Sequence, residues 1–179
     1  MSQKYYTLIF PFSETGDKVL LGRKKRGIGK GLWNGFGGKL ERHESVEECA
    51  IRELYEECGL KASRMECIGV LYMNCTSGVG NTVIFVYRTD AYVGEIAESD
   101  EMYPLWFDFG DIPYSKMHEE AVLWWPVLLA KDRPMFVASF MFDGDDLVSH
   151  EITETSNQDE DEVGEMQNLL AEAQKEKDS

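Results

Sequence analysis

The chain has 179 residues, of which 43% are hydrophobic and 12% aromatic, enough apolar side chains for the core of one ordinary domain. This composition excludes a wholly disordered chain. Its 33 acidic and 18 basic residues give a formal charge of −15, which repels phosphate backbones and anionic lipids, so we expect neither a stable nucleic-acid complex nor membrane binding.

The acidic charge is concentrated near the C-terminus. Residues 151–179 hold ten acidic and two basic side chains (net −8), whereas residues 1–150 hold 23 and 16 (net −7). We therefore predict one domain over residues 1–150 and an acidic, disordered tail over residues 151–179, with only a weak apolar patch at Leu169 and Leu170.

The first apolar run, Tyr5 to Phe12, predicts a strand, and Val19 to Leu21 predict its hairpin partner. The run is too short to span a bilayer, and no signal-peptide pattern precedes it. We expect a monomer in the cytoplasm, with the nucleus and the mitochondrion as alternatives.

A glycine-rich segment from Gly22 to Gly38 follows, and the cationic and aromatic side chains among its seven glycines indicate a binding loop. A helix is predicted over residues 45–58, because Ser45 and Glu48 form a capping box and Gly59 stands at the C-terminal cap position.

The rest of the chain contains short elements of both types. We predict strands at 66–75, 82–88, 106–109 and 135–142, the last closing the sheet, and a second helix at 119–131 that contains Pro126. This order predicts an α/β fold in which helices flank a mixed sheet. The four cysteines show no spacing typical of zinc sites or disulfides, so reduced thiols are expected.

The helix at 45–58 carries three glutamates, Glu53, Glu56 and Glu57, within an arc of about 100°. Like charges this close destabilise a bare helix, so their clustering indicates a hard divalent cation, Mg²⁺ or Mn²⁺. A solvated acidic face is the alternative interpretation.

The residues around these glutamates fit one longer pattern, G-x5-E-x7-R-E-U-x-E-E-x-G-U with U aliphatic. Its fixed positions are Gly38, Glu44, Arg52-Glu53-Leu54, Glu56-Glu57 and Gly59-Leu60. The segment resembles the Nudix box, and the chain resembles the Nudix hydrolases. The resemblance implies an α/β/α sandwich with a mixed β-sheet between helices, and metal-dependent hydrolysis of a nucleoside diphosphate linked to another group.

The resemblance also implies a catalytic centre. The implied metal ligands are Glu53, Glu56, Glu57, Glu101 and the backbone carbonyl of Gly37. Glu57 or Glu101 is the candidate base that activates a water molecule. Glu44 and Arg52 are expected to pair and to hold the loop against the helix.

Further segments are similar to the animal oxidised purine nucleoside triphosphatases, which resemble the bacterial MutT enzymes: 24–27, 33–39, 98–102, 106–107, 112–113 and Trp124. The similarity covers roughly residues 4–148. It implies a Mg²⁺-dependent pyrophosphohydrolase that converts oxidised or methylated purine nucleoside triphosphates, such as 8-oxo-dGTP and 2-oxo-dATP, to monophosphate and pyrophosphate, and so cleans the nucleotide pool.

Carried over by position, the implied substrate-binding residues are Thr7, Lys24, Asn34, Phe36, Gly37, Gly38, Lys39, Met102, His118, Glu119, Glu120, Ala121 and Trp124. The Asn34 amide can both donate to and accept from a purine edge, and a loop-capping role is its alternative.

The base pocket departs from the family pattern. The family's stacking tryptophan and its adjacent pair of aspartates fall on His118, Glu120 and Ala121. Those two acids let the family accept different oxidised purines by changing protonation, so the loss of one leaves the preferred base open. Three further positions differ, where Ile28, Met73 and Cys75 replace aromatic side chains.

Two other functions remain open at this stage. One is hydrolysis of a different nucleoside-diphosphate compound, such as a dinucleoside polyphosphate, ADP-ribose or an RNA cap. The other is a non-catalytic Nudix module that binds a nucleotide or a protein. The second is less favoured, because every glutamate of the box is present.

Overall fold

The computed structural model describes residues 3–78, 80–155, 164 and 168–175. Its elements are β1 (Lys4–Pro11), β2 (Lys18–Lys24), β3 (Trp33–Asn34), α1 (Val46–Cys58), β4 (Lys61–Cys75), β5 (Thr82–Val93), β6 (Met102–Asp108), α2 (Ala121–Leu128), β7 (Met135–Asp143) and β8 (Asp146–Thr155). Two short 3₁₀ helices, Phe109–Asp111 and Tyr114–Lys116, precede α2, and residues 168–175 are helical.

The strands form two sheets. The larger is mixed and has the order β1-β5-β4-β7-β8, with β1 parallel to β5 and β4 parallel to β7. The smaller is antiparallel and has the order β3-β2-β6. Residues 36–39 connect the two regions, because Phe36 and Lys39 form isolated bridges with Ile9 and Tyr6 of β1.

Alternate residues of β5 show how the helices flank the larger sheet. Val83, Phe85 and Tyr87 belong to one buried cluster, which includes the apolar face of α1. Val86 and Ile84 belong to a second cluster, which includes α2. Successive strand residues point to opposite faces of a sheet, so α1 and α2 pack on opposite sides. The predicted α/β/α arrangement around a mixed sheet is confirmed.

Helix α1 begins and ends as its sequence predicts. The Ser45 side chain accepts from the Glu48 N–H, and the Glu48 carboxylate accepts from the Ser45 N–H. Gly59 adopts a left-handed conformation (φ 80°), and its N–H donates to the Tyr55 carbonyl. This helix therefore has fixed ends, which hold its side chains in defined positions.

The predicted β1–β2 hairpin is wrong. The two strands lie in different sheets and share a single bridge, Phe12 with Val19, around the turn at 13–17. Strand β1 pairs instead with the distant β5, from Lys4 opposite Thr82 to Pro11 opposite Thr89. Apolar runs predict strands but not their partners, and burial of β1 on both faces favours the central sheet.

Several predicted boundaries also change. Strands β4 and β5 are longer than expected because their bulged outer halves, residues 61–65 and 89–93, pair with each other. Strand β6 begins earlier, at Met102, and α2 covers only Ala121–Leu128 rather than 119–131.

The C-terminal region is more ordered than the sequence predicts. Strand β7 does not close the sheet, because β8 pairs with it along its whole length. The expected division at His150 falls inside β8, and residues 168–175 are helical, with Ala173 fully buried in the α1 cluster. Leu169 and Leu170 pack against that cluster. The expected disorder is therefore wrong for these residues, and much of 156–179 lies outside the described residues.

The four cysteines are free, as expected. None of the helices in the described ranges is long and apolar enough to cross a bilayer.

Candidate active site

The active-site face of α1 is formed by its glutamates. Val46, Ala50 and Leu54 point into the core, so Glu53 and Glu57 emerge at the border between the core and solvent. Glu57 is only 4% exposed, an unusual burial for a glutamate. The sequence therefore places one carboxylate almost inside the protein.

Gly37 holds the Glu57 carboxylate. The Gly37 N–H donates to Glu57 Oε2 at 2.9 Å, which lowers the Glu57 pKa, but burial has the larger and opposite effect. The nearby charges of Glu53 and Glu101 also raise it, and together these effects raise the Glu57 pKa to about 8. Such a carboxylate is stabilised in its charged form by any cation brought beside it.

Gly38 lies directly against Glu53. A Cβ atom at position 38 would stand 2.3 Å from Glu53 Oε1, so any other residue there would displace the Glu53 carboxylate. Burial raises the Glu53 pKa, and the charges of Glu56 and Glu101 raise it further. The backbone of residues 37–38 and the carboxylates of α1 thus form one surface.

Arg52 joins the loop before α1 to the glutamates on it. Its Nε and Nη2 donate to the two oxygens of Glu44 at 2.9 and 2.8 Å, which confirms the predicted pair. Its Nη1 donates to Glu53 at 2.8 Å and to Glu56 at 3.2 Å. Glu44 also accepts from the Glu41 N–H, which fixes the loop. Arg52 therefore positions the glutamates as well as the loop.

The Glu44–Arg52 pair gives the first testable prediction. Arg52 holds the Glu44 pKa below its usual range, so the pair's contribution to stability is complete above the unfolded value of about 4.3 and is lost as pH falls through the lower folded value. We expect Glu44→Gln to lower the free energy of unfolding by about 2 kcal/mol at pH 7. Urea denaturation of both proteins from pH 7 to pH 3 measures the difference, which should shrink below about pH 4.

The exposed Glu41 supplies the control, because its side chain belongs to no ion pair among the described residues. Glu41→Gln should change stability little at any of these pH values. A pH-independent effect of Glu44→Gln would contradict the assigned ion pair.

Glu101 approaches the glutamates from the loop before β6. Its charge contributes to the raised pKa values of both Glu53 and Glu57, which places it within electrostatic range of them. Its carboxylate pairs with Arg26, and its carbonyl accepts from the Lys25 N–H. The glycine-rich loop and the β6 loop therefore hold each other at the edge of the site.

A cleft of about 460 Å³ adjoins this surface. Eight of the residues that line it were singled out from the sequence: Thr7, Lys24, Ile28, Asn34, Gly37, Gly38, Met73 and His118. Gly37 and Gly38 line its floor and also contact Glu57 and Glu53. The charge of Lys24 lowers the Glu57 pKa, so this cleft-lining ammonium also lies near the carboxylates.

A smaller pocket of about 40 Å³ shares Asn34 and His118 with the cleft and adds Glu120, Ala121 and Trp124. Burial raises the Glu120 pKa, so its carboxyl group keeps its proton to a higher pH than a free glutamate does. The Asn34 Oδ1 atom accepts from the Gly35 N–H at 2.8 Å, as a loop cap does, while its amide nitrogen donates to no described residue.

Five predicted residues lie away from these cavities. Phe36 and Met102 are buried in the core, and Lys39 is exposed beside β1. Glu119 accepts from the Leu147 N–H at 3.1 Å, so it ties α2 to β8 rather than lining the pocket. Cys75, at the end of β4, lines neither cavity. These five residues line neither the cleft nor the small pocket.

Sequence reasoning missed several functional neighbours. Tyr6, Leu8, Thr82 and Ile84 line the cleft, because the parallel pairing of β1 with β5 brings the two strands together. Arg26 lies in the cationic run of the glycine-rich loop, but no local signal indicates its pairing with Glu101.

Comparison with known proteins decides the family. The family profile described as NUDIX domain matches residues 3–125. The chain belongs to the Nudix family.

The matches to two curated relatives extend over most of this chain and most of each relative. The "Oxidized purine nucleoside triphosphate hydrolase" of Danio rerio is 44% identical over 141 residues, which are 78% of this chain and 89% of that protein. The protein of the same name from Mus musculus is 34% identical over 157 residues, 87% of this chain and 98% of that protein. Among solved structures, a MutT protein from Bacillus halodurans superposes with a TM-score of 0.73 at 26% identity, covering 83% of this chain and 97% of its own.

Nudix hydrolases generally use divalent metal ions, and the donor set of this chain fits one. Glu53, Glu56, Glu57 and Glu101 offer hard carboxylate oxygens, which Mg²⁺ and Mn²⁺ prefer. Burial raises the pKa values of Glu53 and Glu57, and a cation bound beside them would lower both. Among the described residues, no three candidate ligands converge on one point. Arg52 donates to Glu56, Arg26 pairs with Glu101, and the Gly37 N–H donates to Glu57.

Proposed function

We propose that this Nudix hydrolase converts modified purine nucleoside triphosphates to a monophosphate and pyrophosphate with Mg²⁺, for which Mn²⁺ can substitute, and so removes damaged nucleotides from the pool. One observation carries the proposal. Gly37 and Gly38, which line the cleft, contact the carboxylates of Glu57 and Glu53, and Asn34 and His118 line both the cleft and the small pocket that contains Glu120. Both close curated relatives are named as oxidised purine nucleoside triphosphate hydrolases, which supports the same substrate class.

The catalytic half of the site would act on the phosphates. Glu53, Glu56, Glu57 and Glu101 would hold the metal, with the Gly37 carbonyl as a further ligand. Bound divalent ions neutralise phosphate charge and lower the pKa of an attacking water. Lys24 lines the cleft close to Glu57, so its ammonium group would contact the triphosphate.

Glu57 is the better of the two candidate bases. Its Oε2 atom is held by the Gly37 N–H on the cleft floor, which leaves Oε1 to accept the proton of the water. Glu101 is 45% exposed and paired with Arg26, so its first role is to hold the loop and the metal.

The recognition half would bind the purine. The free amide nitrogen of Asn34 can donate to an acceptor on the base edge, and the Glu120 carboxyl can donate while it keeps its proton. His118 lines both cavities and would offer the flat face on which the base stacks. Gly29 packs against the His118 ring, since a Cβ atom there would lie 3.0 Å from its Nε2 atom. The glycine-rich loop therefore holds that face in place.

Glu120 provides a test of this recognition half. Glu120→Ala removes the pocket's only carboxyl group among the described lining residues, and we expect KM for a modified purine triphosphate to rise about tenfold while kcat changes little. Steady-state kinetics measure both constants. The neighbouring Glu119→Ala is the control, because Glu119 is exposed and lines neither cavity. Equal effects of the two variants would argue against a Glu120 contact with the base.

A substrate panel tests the whole proposal. Purified protein with Mg²⁺ is assayed on 8-oxo-dGTP, 2-oxo-dATP, methylated purine triphosphates, unmodified dNTPs, ADP-ribose and diadenosine tetraphosphate. We expect the highest kcat/KM on an oxidised or methylated purine triphosphate, with pyrophosphate as product and no turnover after chelation. Activity confined to ADP-ribose or the dinucleotide would show that His118, Glu120 and Ala121 have changed the substrate class.

A further inference from the structure

Arg88 is a buried arginine with no part in the proposed active site. It lies on β5, four residues beyond the cleft-lining Ile84, or about 13 Å along the strand. Its side chain packs over the Phe12 ring, with Cζ 3.7 Å from the ring centroid. Its Nη1 donates to the carbonyl of Leu128, the last residue of α2, at 3.3 Å. These contacts fix the guanidinium at the end of α2 that lies away from Glu120.

Arg88 forms no ion pair with a described carboxylate. The residue is only 7% exposed, no described acidic side chain lies within ion-pair distance, and its buried Nε has no hydrogen-bond partner in the described structure. Burial and the charge of Arg133 lower the Arg88 pKa to about 10, against the smaller opposite effects of Asp90 and Glu66, and the guanidinium stays charged at neutral pH. A buried, unpaired cation with an unsatisfied donor is costly, so natural proteins rarely keep one without a use.

Arg88 opens onto a pocket of about 220 Å³. The pocket is lined by Arg64, Met65, Glu66, Arg88, Asp90 and Arg133. Asp90 accepts from Arg64 at 2.9 Å and from Arg133 at 3.5 Å, and Glu66 lies 3.9 Å from Arg133. The two carboxylates are thus engaged by the two outer arginines. The described lining residues, three arginines and two carboxylates, carry one net positive charge, and Arg88 is the arginine that forms no ion pair with either carboxylate.

We propose that this arginine pocket, lined by Arg64, Arg88 and Arg133, binds a small oxyanion of the phosphate class. Guanidinium groups match tetrahedral oxyanions because their N–H donors form a planar fork. The pocket is large enough for a phosphate or a pyrophosphate, and the anion would supply the negative charge that Arg88 lacks. The site is separate from the catalytic cleft and does not depend on the proposed function.

The competing interpretation is purely structural. Arg88 caps the carbonyl end of α2 and packs on Phe12, and both contacts stabilise a fold without any ligand. That interpretation predicts no saturable phosphate binding at this pocket. The two interpretations therefore differ in a measurable quantity.

Isothermal titration calorimetry distinguishes them. Inorganic phosphate is titrated into the full chain in the presence of EDTA, at an ionic strength fixed with sodium chloride. We expect saturable binding at one site. Arg133→Met should weaken it at least fivefold, because it removes an outer cation and leaves Arg88 in place. Glu66→Gln should strengthen it, because it removes a facing negative charge.

Two controls locate the site. Lys24→Met removes the cation of the catalytic cleft and should leave phosphate binding unchanged, whereas Arg88→Met should abolish it. Thermal melting of each variant shows which are folded, and Arg133→Met and Glu66→Gln still decide the question if Arg88→Met unfolds. Absence of saturable binding, or binding that Lys24→Met weakens and Arg133→Met does not, would overturn the proposal.

Discussion

Replacing Glu57 by glutamine is expected to lower kcat on the preferred nucleotide by about a thousandfold or more. Glu57 contributes twice in the proposed mechanism, as a metal ligand and as the base, and a neutral amide does neither well. The amide oxygen still accepts from the Gly37 N–H, so the geometry of the cleft floor should survive. Release of pyrophosphate under saturating substrate and Mg²⁺ measures the loss.

Glu47→Gln is the matched control on the same helix. Glu47 lies exposed in the first turn of α1, far from the cleft floor, and makes no part of the capping box. This variant should keep wild-type kcat, and both variants should melt within a few degrees of the wild type. If Glu57→Gln kept more than a tenth of the wild-type activity, Glu57 would not be the base.

Gly37→Ala is expected to be more damaging than alanine at any other described glycine. A Cβ atom at position 37 would lie 2.0 Å from the Thr7 carbonyl oxygen and 2.7 Å from its carbon. Both are backbone atoms of β1, which is largely buried and held by its pairing with β5, so neither can move aside. We expect the free energy of unfolding to fall by about 3 kcal/mol, as in severe overpacking.

Activity should also fall, because any displacement of residue 37 moves the N–H that holds Glu57. The control is Gly110→Ala, since Gly110 lies in an exposed 3₁₀ turn with no atom within 4 Å of the added methyl group. Urea denaturation and kcat are measured on both. A Gly37→Ala protein as stable as Gly110→Ala would show that the close approach of residues 37 and 7 is not required.

Features encoded locally were predictable from the sequence. The bounds of α1 follow from Ser45, Glu48 and Gly59, and the pairing of Glu44 with Arg52 follows from the Nudix pattern. In each case the determining residues are within fourteen positions of one another. Capping and short-range ion pairs depend on such neighbours, so the sequence contains most of the necessary information.

Features set by distant pairing were not predictable. β1 alone does not reveal that its partner begins at Thr82, and that pairing brings four unpredicted residues to the cleft wall. β8 was missed because its polar residues resemble a tail, although an edge strand needs few apolar side chains once its neighbour supplies the hydrogen bonds. The Arg26–Glu101 pair spans 75 positions and depends on two loops meeting.

The division of the core into two clusters affects how this protein can change over evolutionary time. The glutamate-bearing α1 packs in one cluster, and α2, which begins beside Glu120 and His118, packs in the other. The sheet lies between them, so a substitution at Ala121, which packs in the α2 cluster, leaves the packing of α1 unchanged, whereas one at His118 also alters the cleft that contains Gly37 and Gly38. We therefore expect substitutions at position 121 to change the shape of the small pocket while the helix that carries Glu53 and Glu57 keeps its place.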